Sequence, residues 1–222
     1  MRAAFFAMEW IIQIPVLFFS VIFHEFAHGW MAKRRGDDTA YLSGRLTFNP
    51  VPHIDPFGTI LLPALCAITN LPMFGWAKPV PINPYRMYEP RKDVVKVALA
   101  GPLSNLVLVG ASLLLANILL FIPLGGLKPL LLHALFFAVI INLCLAIFNL
   151  IPIAPLDGSQ VLAGVLPHEL AMKYERHAPY GMWIMLALMI SGLLKYVLTV
   201  PLNIAVAFLI NAKLMPAIML YM

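Results

Sequence analysis

Apolar residues in this chain come in long blocks rather than in alternation with polar ones, and the blocks are about as long as a bilayer is thick. From about Met8 to Ala32 runs a first segment that is almost wholly apolar up to Phe23, and it closes on Lys33-Arg34-Arg35-Gly36, a basic cluster followed by a helix-stopping glycine. Further apolar blocks cover residues 57–74, 94–122, 129–150, about 179–200 and 202–222. A hydrocarbon core of about 30 Å needs roughly 20 such residues per helix. The pattern therefore predicts an all-α polytopic membrane protein with five to six transmembrane segments. Residues 37–56 are a polar connection, and within it Tyr41 to Phe48, closed by Asn49-Pro50 and Pro52, suggests a short membrane-associated β-hairpin after the first segment. The block at 57–74 is the shortest and is interrupted by Pro63 and Pro72. Nothing in the pattern marks a soluble domain, a low-complexity linker or a repeat, so residues 1–222 read as one membrane-embedded domain.

Composition sharpens this. The chain is 62% hydrophobic and only 11% charged, with a mean hydropathy of +0.89, too apolar for an ordinary soluble core. A formal net charge of +5 would suggest acidic partners in a soluble protein, but these basic residues sit in short connections, where they report orientation. Nucleic acid is not implied as a partner; the lipid bilayer is. Cys66 and Cys144 both lie in apolar runs, where a thiol behaves as a small hydrophobe, and no disulfide framework follows. Arg2 ahead of an apolar run resembles a signal peptide, yet no small-residue cleavage site follows it, so the first block reads as a retained span.

The candidate chemistry sits at the end of that first block, in His24-Glu25-Phe26-Ala27-His28. Two histidines four residues apart project from one helical face, one turn above the other, and can share a zinc ion, while the intervening glutamate serves as a base rather than a ligand. A catalytic zinc site usually takes three protein ligands. His53, Asp55, His133, Asp157, His168 and His177 carry suitable atoms. Asp157 stands out because it follows an apolar block within Pro152-x-x-Pro155-Leu156-Asp157-Gly158, whose prolines open the helix and whose glycine allows a tight backbone.

If Asp157 joins His28, the chain must cross the membrane an even number of times between them, so one of the three intervening blocks should not cross. The 57–74 block is the candidate, as a re-entrant or shallow segment covered by protein. With that block returning to its own side, all but Arg2, Lys128 and Lys195 of the 15 lysines and arginines fall on the metal-site side. This is the bias expected if that side is cytoplasmic and the N-terminus is outside.

His24-Glu25-x-x-His28, Gly101-Pro-Leu-Ser-Asn105 and Asn149-Leu-Ile-Pro-Ile-Ala-Pro-Leu-Asp157-Gly158, in that order across apolar blocks, resemble the site-2 protease family of intramembrane zinc metalloproteases. The resemblance covers roughly residues 8–180. It implies Zn2+ held by His24, His28 and Asp157, with Glu25 as the general base and Asn149 holding substrate or polarising the scissile carbonyl. It further implies hydrolysis of a peptide bond in or near a transmembrane segment of a membrane-protein substrate, in a prokaryotic cell membrane. The metal-site core would occupy about 8–166, with C-terminal transmembrane segments at about 179–222. The chain reads as a short form, without the PDZ or nucleotide-sensing domain that several members carry.

Each reading has a plainer rival. A histidine-glutamate cluster could be a buried ion-pair network that fixes packing, but the spans supply no basic partner. Asn149 could cap its helix, Gly101, Ser104 and Asn105 could form a close packing face, and His53 and Asp55 could be loop surface. A membrane metal-ion transporter, a non-catalytic substrate-binding scaffold, or a different zinc protease with Glu169 or Glu175 as distal ligand are the alternative functions.

Overall fold

The computed structural model describes residues 2–61, 65, 68 and 75–215, and its regular elements there are all helical. The long first helix, α1, runs Arg2–Arg34, followed by a short α2 at Thr39–Leu42. Then come α3 at Pro90–Leu120, α4 at Leu127–Asn149, α5 at Asp157–Val165, α6 at His168–Glu175, α7 at Gly181–Ile190 and α8 at Leu193–Asn211. Each of the four helices α1, α3, α4 and α8 is long and apolar enough to cross a bilayer.

Four such helices among the described residues differ from the five to six expected, and the C-terminal region accounts for part of the difference. The block expected at 179–200 breaks at Ser191-Gly192, where Gly192 adopts φ +74, open to a residue without a side chain. This leaves α7 with 10 residues, about 15 Å of helix at 1.5 Å per residue, half of a hydrocarbon core. The expected boundary near Pro201 is absent, because α8 continues through that proline. Most of the 57–74 block lies outside the described residues, as does Cys66. Its start, Pro56–Leu61, is a π-helical turn capped by Asp55, which accepts from the Phe57 and Gly58 amides at 3.0 and 2.7 Å.

The β-hairpin expected at 41–48 is also corrected. No strand forms there: α2 ends at Leu42, and turns and bends follow. Local hydrogen bonds win over strand pairing, with Ser43 Oγ donating to the Thr39 carbonyl at 2.6 Å and the Arg45 amide to the Ala40 carbonyl at 2.9 Å around Gly44 at φ +68.

α1 ends as its sequence predicts. Gly36 takes φ +100, and the Gly36 and Asp37 amides donate back to the Lys33 and Ala32 carbonyls, the paired closure of a Schellman motif. The buried Asp37 carboxylate then accepts from the Asn83 amide at 2.6 Å, and the Tyr88 amide donates to the Arg35 carbonyl at 3.0 Å. Residues 35 and 88 therefore lie side by side, so the chain between them returns to its own level, as the parity argument requires.

α3 packs against α1, α4 and α5, and α4 also against α1 and α8. Among the described residues, Val109 and Leu113 of α3, Val139 and Leu143 of α4, and Leu209 with Met215 form the largest apolar cluster. At the other end of α3, Asn117 Nδ2 donates to the Leu214 carbonyl at 3.2 Å. This places Lys213 roughly 30 Å along α3 from Val97, by helical rise. Lys213 thus belongs at the end away from the histidines, contrary to the side assigned from the sequence.

Candidate metal centre

His24 and His28 lie in the last three turns of α1, buried against α3. Their rings are anchored through Nδ1. His28 Nδ1 lies 2.7 Å from the Val97 carbonyl, which can only accept, so that nitrogen carries the proton. His24 Nδ1 is 2.8 Å from Asn105 Oδ1. Both rings consequently turn Nε2 toward one point, and the two Nε2 atoms stand 3.0 Å apart.

Asp157 reaches the same point from the far end of the sequence. After α4 ends at Asn149, Pro152 and Pro155 keep residues 151–156 out of the helix, and Tyr174 Oη donates to the Pro152 carbonyl at 2.7 Å, pinning the turn. α5 then starts at Asp157. Gly158 makes this possible, since a Cβ there would lie 2.3 Å from the Leu150 carbonyl oxygen. Asp157 Oδ2 stands 3.1 Å from His24 Nε2 and 3.2 Å from His28 Nε2.

Two imidazole lone pairs and a buried carboxylate oxygen with no hydrogen-bond donor thus converge on one space. Three acceptors at 3.0–3.2 Å repel one another unless a cation lies between them. A tetrahedral zinc with bonds of about 2.0–2.1 Å holds its ligand atoms about 3.3 Å apart, so the donor set and its spacing fit that ion. Gly101 leaves the room: a Cβ there would lie 2.4 Å from His28 Nε2 and 2.5 Å from His24 Nε2.

Glu25 stands beside the cluster, outside the ligand triangle. Its Oε2 accepts from the Val80 amide at 2.9 Å, and it lines a cavity of about 700 Å³ together with His24, His28, Asp157 and Asn149. Part of the lining of that cavity comes from the segment 75–82, which has no regular secondary structure. Asn149 Nδ2 donates to the Leu145 carbonyl at 3.0 Å, one turn back on its own helix.

The remaining candidates go elsewhere. His53 is buried, not loop surface, and donates from Nε2 to the Thr47 carbonyl at 3.0 Å. His168, Glu175 and His177 line a separate cavity of about 590 Å³. Among the described residues neither Glu169 nor Glu175 joins a metal-binding group, which removes the distal-glutamate alternative there. Two contributors were missed from sequence. Asn105 orients His24 instead of serving as packing alone, and its signal was an amide in an apolar helix one turn from a glycine. Val80 holds Glu25, and its proline-rich surroundings gave no hint of it.

A helical membrane protein with a buried centre of two histidines and an aspartate, and a glutamate next to it, defines the class. The chain belongs to peptidase family M50, whose profile matches residues 126–192, the stretch carrying Asn149 and Asp157. It is 38% identical over 196 residues to "Putative zinc metalloprotease YwhC" of Bacillus subtilis, covering 86% of this chain and 85% of that protein. It is 31% identical over 182 residues to "Putative zinc metalloprotease Rip2" of Mycolicibacterium smegmatis, of which it spans 65%. A third relative, "Zinc metalloprotease MJ0392" of Methanocaldococcus jannaschii, is 29% identical over 157 residues, and the chain spans 35% of it. No solved structure matched the chain.

Proposed function

We propose that the protein is an intramembrane zinc metalloprotease that hydrolyses a peptide bond in or near a transmembrane segment of a membrane-protein substrate. The observation that carries the reading is the convergence of His24 Nε2, His28 Nε2 and Asp157 Oδ2 within 3.2 Å at the end of a membrane-length apolar helix. These three residues hold Zn2+. When bound, zinc supplies a Lewis acid that polarises the scissile carbonyl and lowers the pKa of water.

The chain's own groups do the rest. Glu25 takes the proton of the attacking water and delivers it to the leaving amine. The Val80 amide holds Glu25 beside the histidines while Asn105 and Val97 fix the imidazole orientations. Asn149, on the cavity wall, contacts the substrate near the scissile carbonyl. The side bearing α1's basic end, with Lys33, Arg34 and Arg35, is cytoplasmic, as the lysine and arginine bias supports even with Lys213 moved across. Residues 1–222 act as a single domain in this reading.

The test uses purified protein reconstituted in liposomes with a panel of single-span membrane proteins. Wild type with one zinc cleaves a member of the panel, chelation stops it, and zinc restores it. Glu25→Gln keeps the zinc and loses about 10²–10⁴-fold in rate, the usual contribution of a positioned acid–base group. Full activity in zinc-loaded Glu25→Gln protein would contradict the mechanism.

A further inference from the structure

We infer that Arg45 is a positioning residue for Glu25, acting through the irregular strap at 75–83; the inference rests on the reading of Glu25 as the base. Arg45 is buried, 8% exposed, and among the described residues no carboxylate pairs with its guanidinium. Its Nη2 donates instead to two successive backbone carbonyls, those of Lys78 at 2.6 Å and Pro79 at 3.1 Å. The next residue is Val80, whose amide donates to Glu25 Oε2 at 2.9 Å. Charge, backbone and base are thus linked over three consecutive strap residues.

The sequence around Val80 makes that amide special. Pro79 and Pro81 have no N–H, so Val80 offers the sole backbone donor of its tripeptide, and the prolines stiffen the strap on both sides. Other bonds tie the strap on either side of Pro79-Val80-Pro81. The Trp76 amide donates to the Gly58 carbonyl at 3.1 Å, the Lys78 amide to the His53 carbonyl at 2.9 Å, and the Asn83 amide to Asp37 at 2.6 Å. Arg45 holds the carbonyls immediately before Val80, the place where a small shift of the strap moves the amide relative to Glu25. A planar guanidinium can meet both carbonyls in a fixed orientation, whereas a lysine ammonium is a point charge on a flexible stem. Arg45 touches no metal ligand and does not itself line the cavity; it reaches the site through Pro79, a lining residue, and through Val80, which bonds Glu25.

The experiment compares Arg45→Ala and Arg45→Lys with wild type and Glu25→Gln, in the zinc-loaded full chain in liposomes, on the substrate that wild type cleaves. Both Arg45 variants should keep one zinc and a KM within about threefold of wild type, while kcat falls roughly 10–100-fold, as for a reacting group displaced by about an ångström. Added guanidinium should restore part of kcat in Arg45→Ala and none in Glu25→Gln. Unchanged kcat, a defect that lies in KM, loss of zinc or of folded protein in both variants, or a kcat defect that guanidinium leaves untouched each overturns the assignment. Full activity in Glu25→Gln is a separate result, which sinks the reading of the base itself whatever Arg45 does.

Discussion

Replacing Gly101 by alanine adds one methyl group to α3 and should cost the protein its metal. In a helix interior the substitution alone favours folding by up to about 1 kcal/mol, because glycine is the poorer helix former. Here the added carbon would lie 2.4 Å from His28 Nε2, 2.5 Å from His24 Nε2 and 2.6 Å from His24 Cε1. An unstrained contact needs roughly 3.5 Å, so about 1 Å of movement is required. The rings cannot supply it freely, since each is tied through Nδ1, to Asn105 at 2.8 Å and to the Val97 carbonyl at 2.7 Å. Coordination distances tolerate only about 0.2 Å. A displacement several times larger should lower zinc affinity by at least about 100-fold, beyond the 10–100-fold typical of disturbing a supporting group. Competitive zinc titration reads the affinity and thermal unfolding in detergent reads the fold. Gly110→Ala on the same helix is the control, since a Cβ there meets nothing within 4 Å, and it should leave zinc binding unchanged. A Gly101→Ala protein that binds zinc as tightly as wild type would refute the argument that this glycine exists to admit the site.

Two further substitutions separate the site from its scaffold. Asn105→Ala removes the acceptor on His24 Nδ1 and should weaken zinc binding about 10–100-fold, read by the same titration, with little change in overall fold. Asn142→Leu breaks the interhelical bond from Asn142 Nδ2 to Ser20 Oγ at 2.9 Å, and should lower stability by about 0.6–2 kcal/mol in denaturant titration while zinc content stays at wild type.

What the sequence made legible was whatever its local spacing encodes. Two histidines four apart on a helix share a face whatever surrounds them, and a lone aspartate after an apolar block, between prolines and a glycine, is conspicuous because acids are costly there. The end of α1 was equally readable, since a basic run and Gly36 are local signals. Three features were not local. Asn105 reads as a packing amide until α1 is laid against α3. The strap at 75–83 reads as a proline-rich connection until Val80 is found on Glu25. Tyr41 to Phe48 has residues that suit a strand, but Ser43 and Arg45 satisfy the backbone of α2 instead and leave no ladder to form. The break at Gly192 and the continuity through Pro201 reversed the usual weights of the two residues, because a proline is tolerated inside an apolar helix when its surroundings absorb the lost bond.

The arrangement of polar groups in the described spans also bears on the choice between hydrolysis and ion transport. A cation path needs successive sites along the membrane, each able to take the ion from the one before. Beyond the cluster, several polar side chains of the described spans bond to one another or to backbone. Asn142 is bonded to Ser20 and to the Ala138 carbonyl, Ser104 to the Gly101 carbonyl, and Asn117 to the Leu113 and Leu214 carbonyls. The space between them is filled by Val109, Leu113, Val139, Leu143 and Leu209. Among the described residues no second group of metal-binding side chains continues the route. An ion held by His24, His28 and Asp157 therefore has the cavity on one side and packed hydrocarbon on the other. A site so placed admits a second molecule from the cavity, which is what a hydrolase requires.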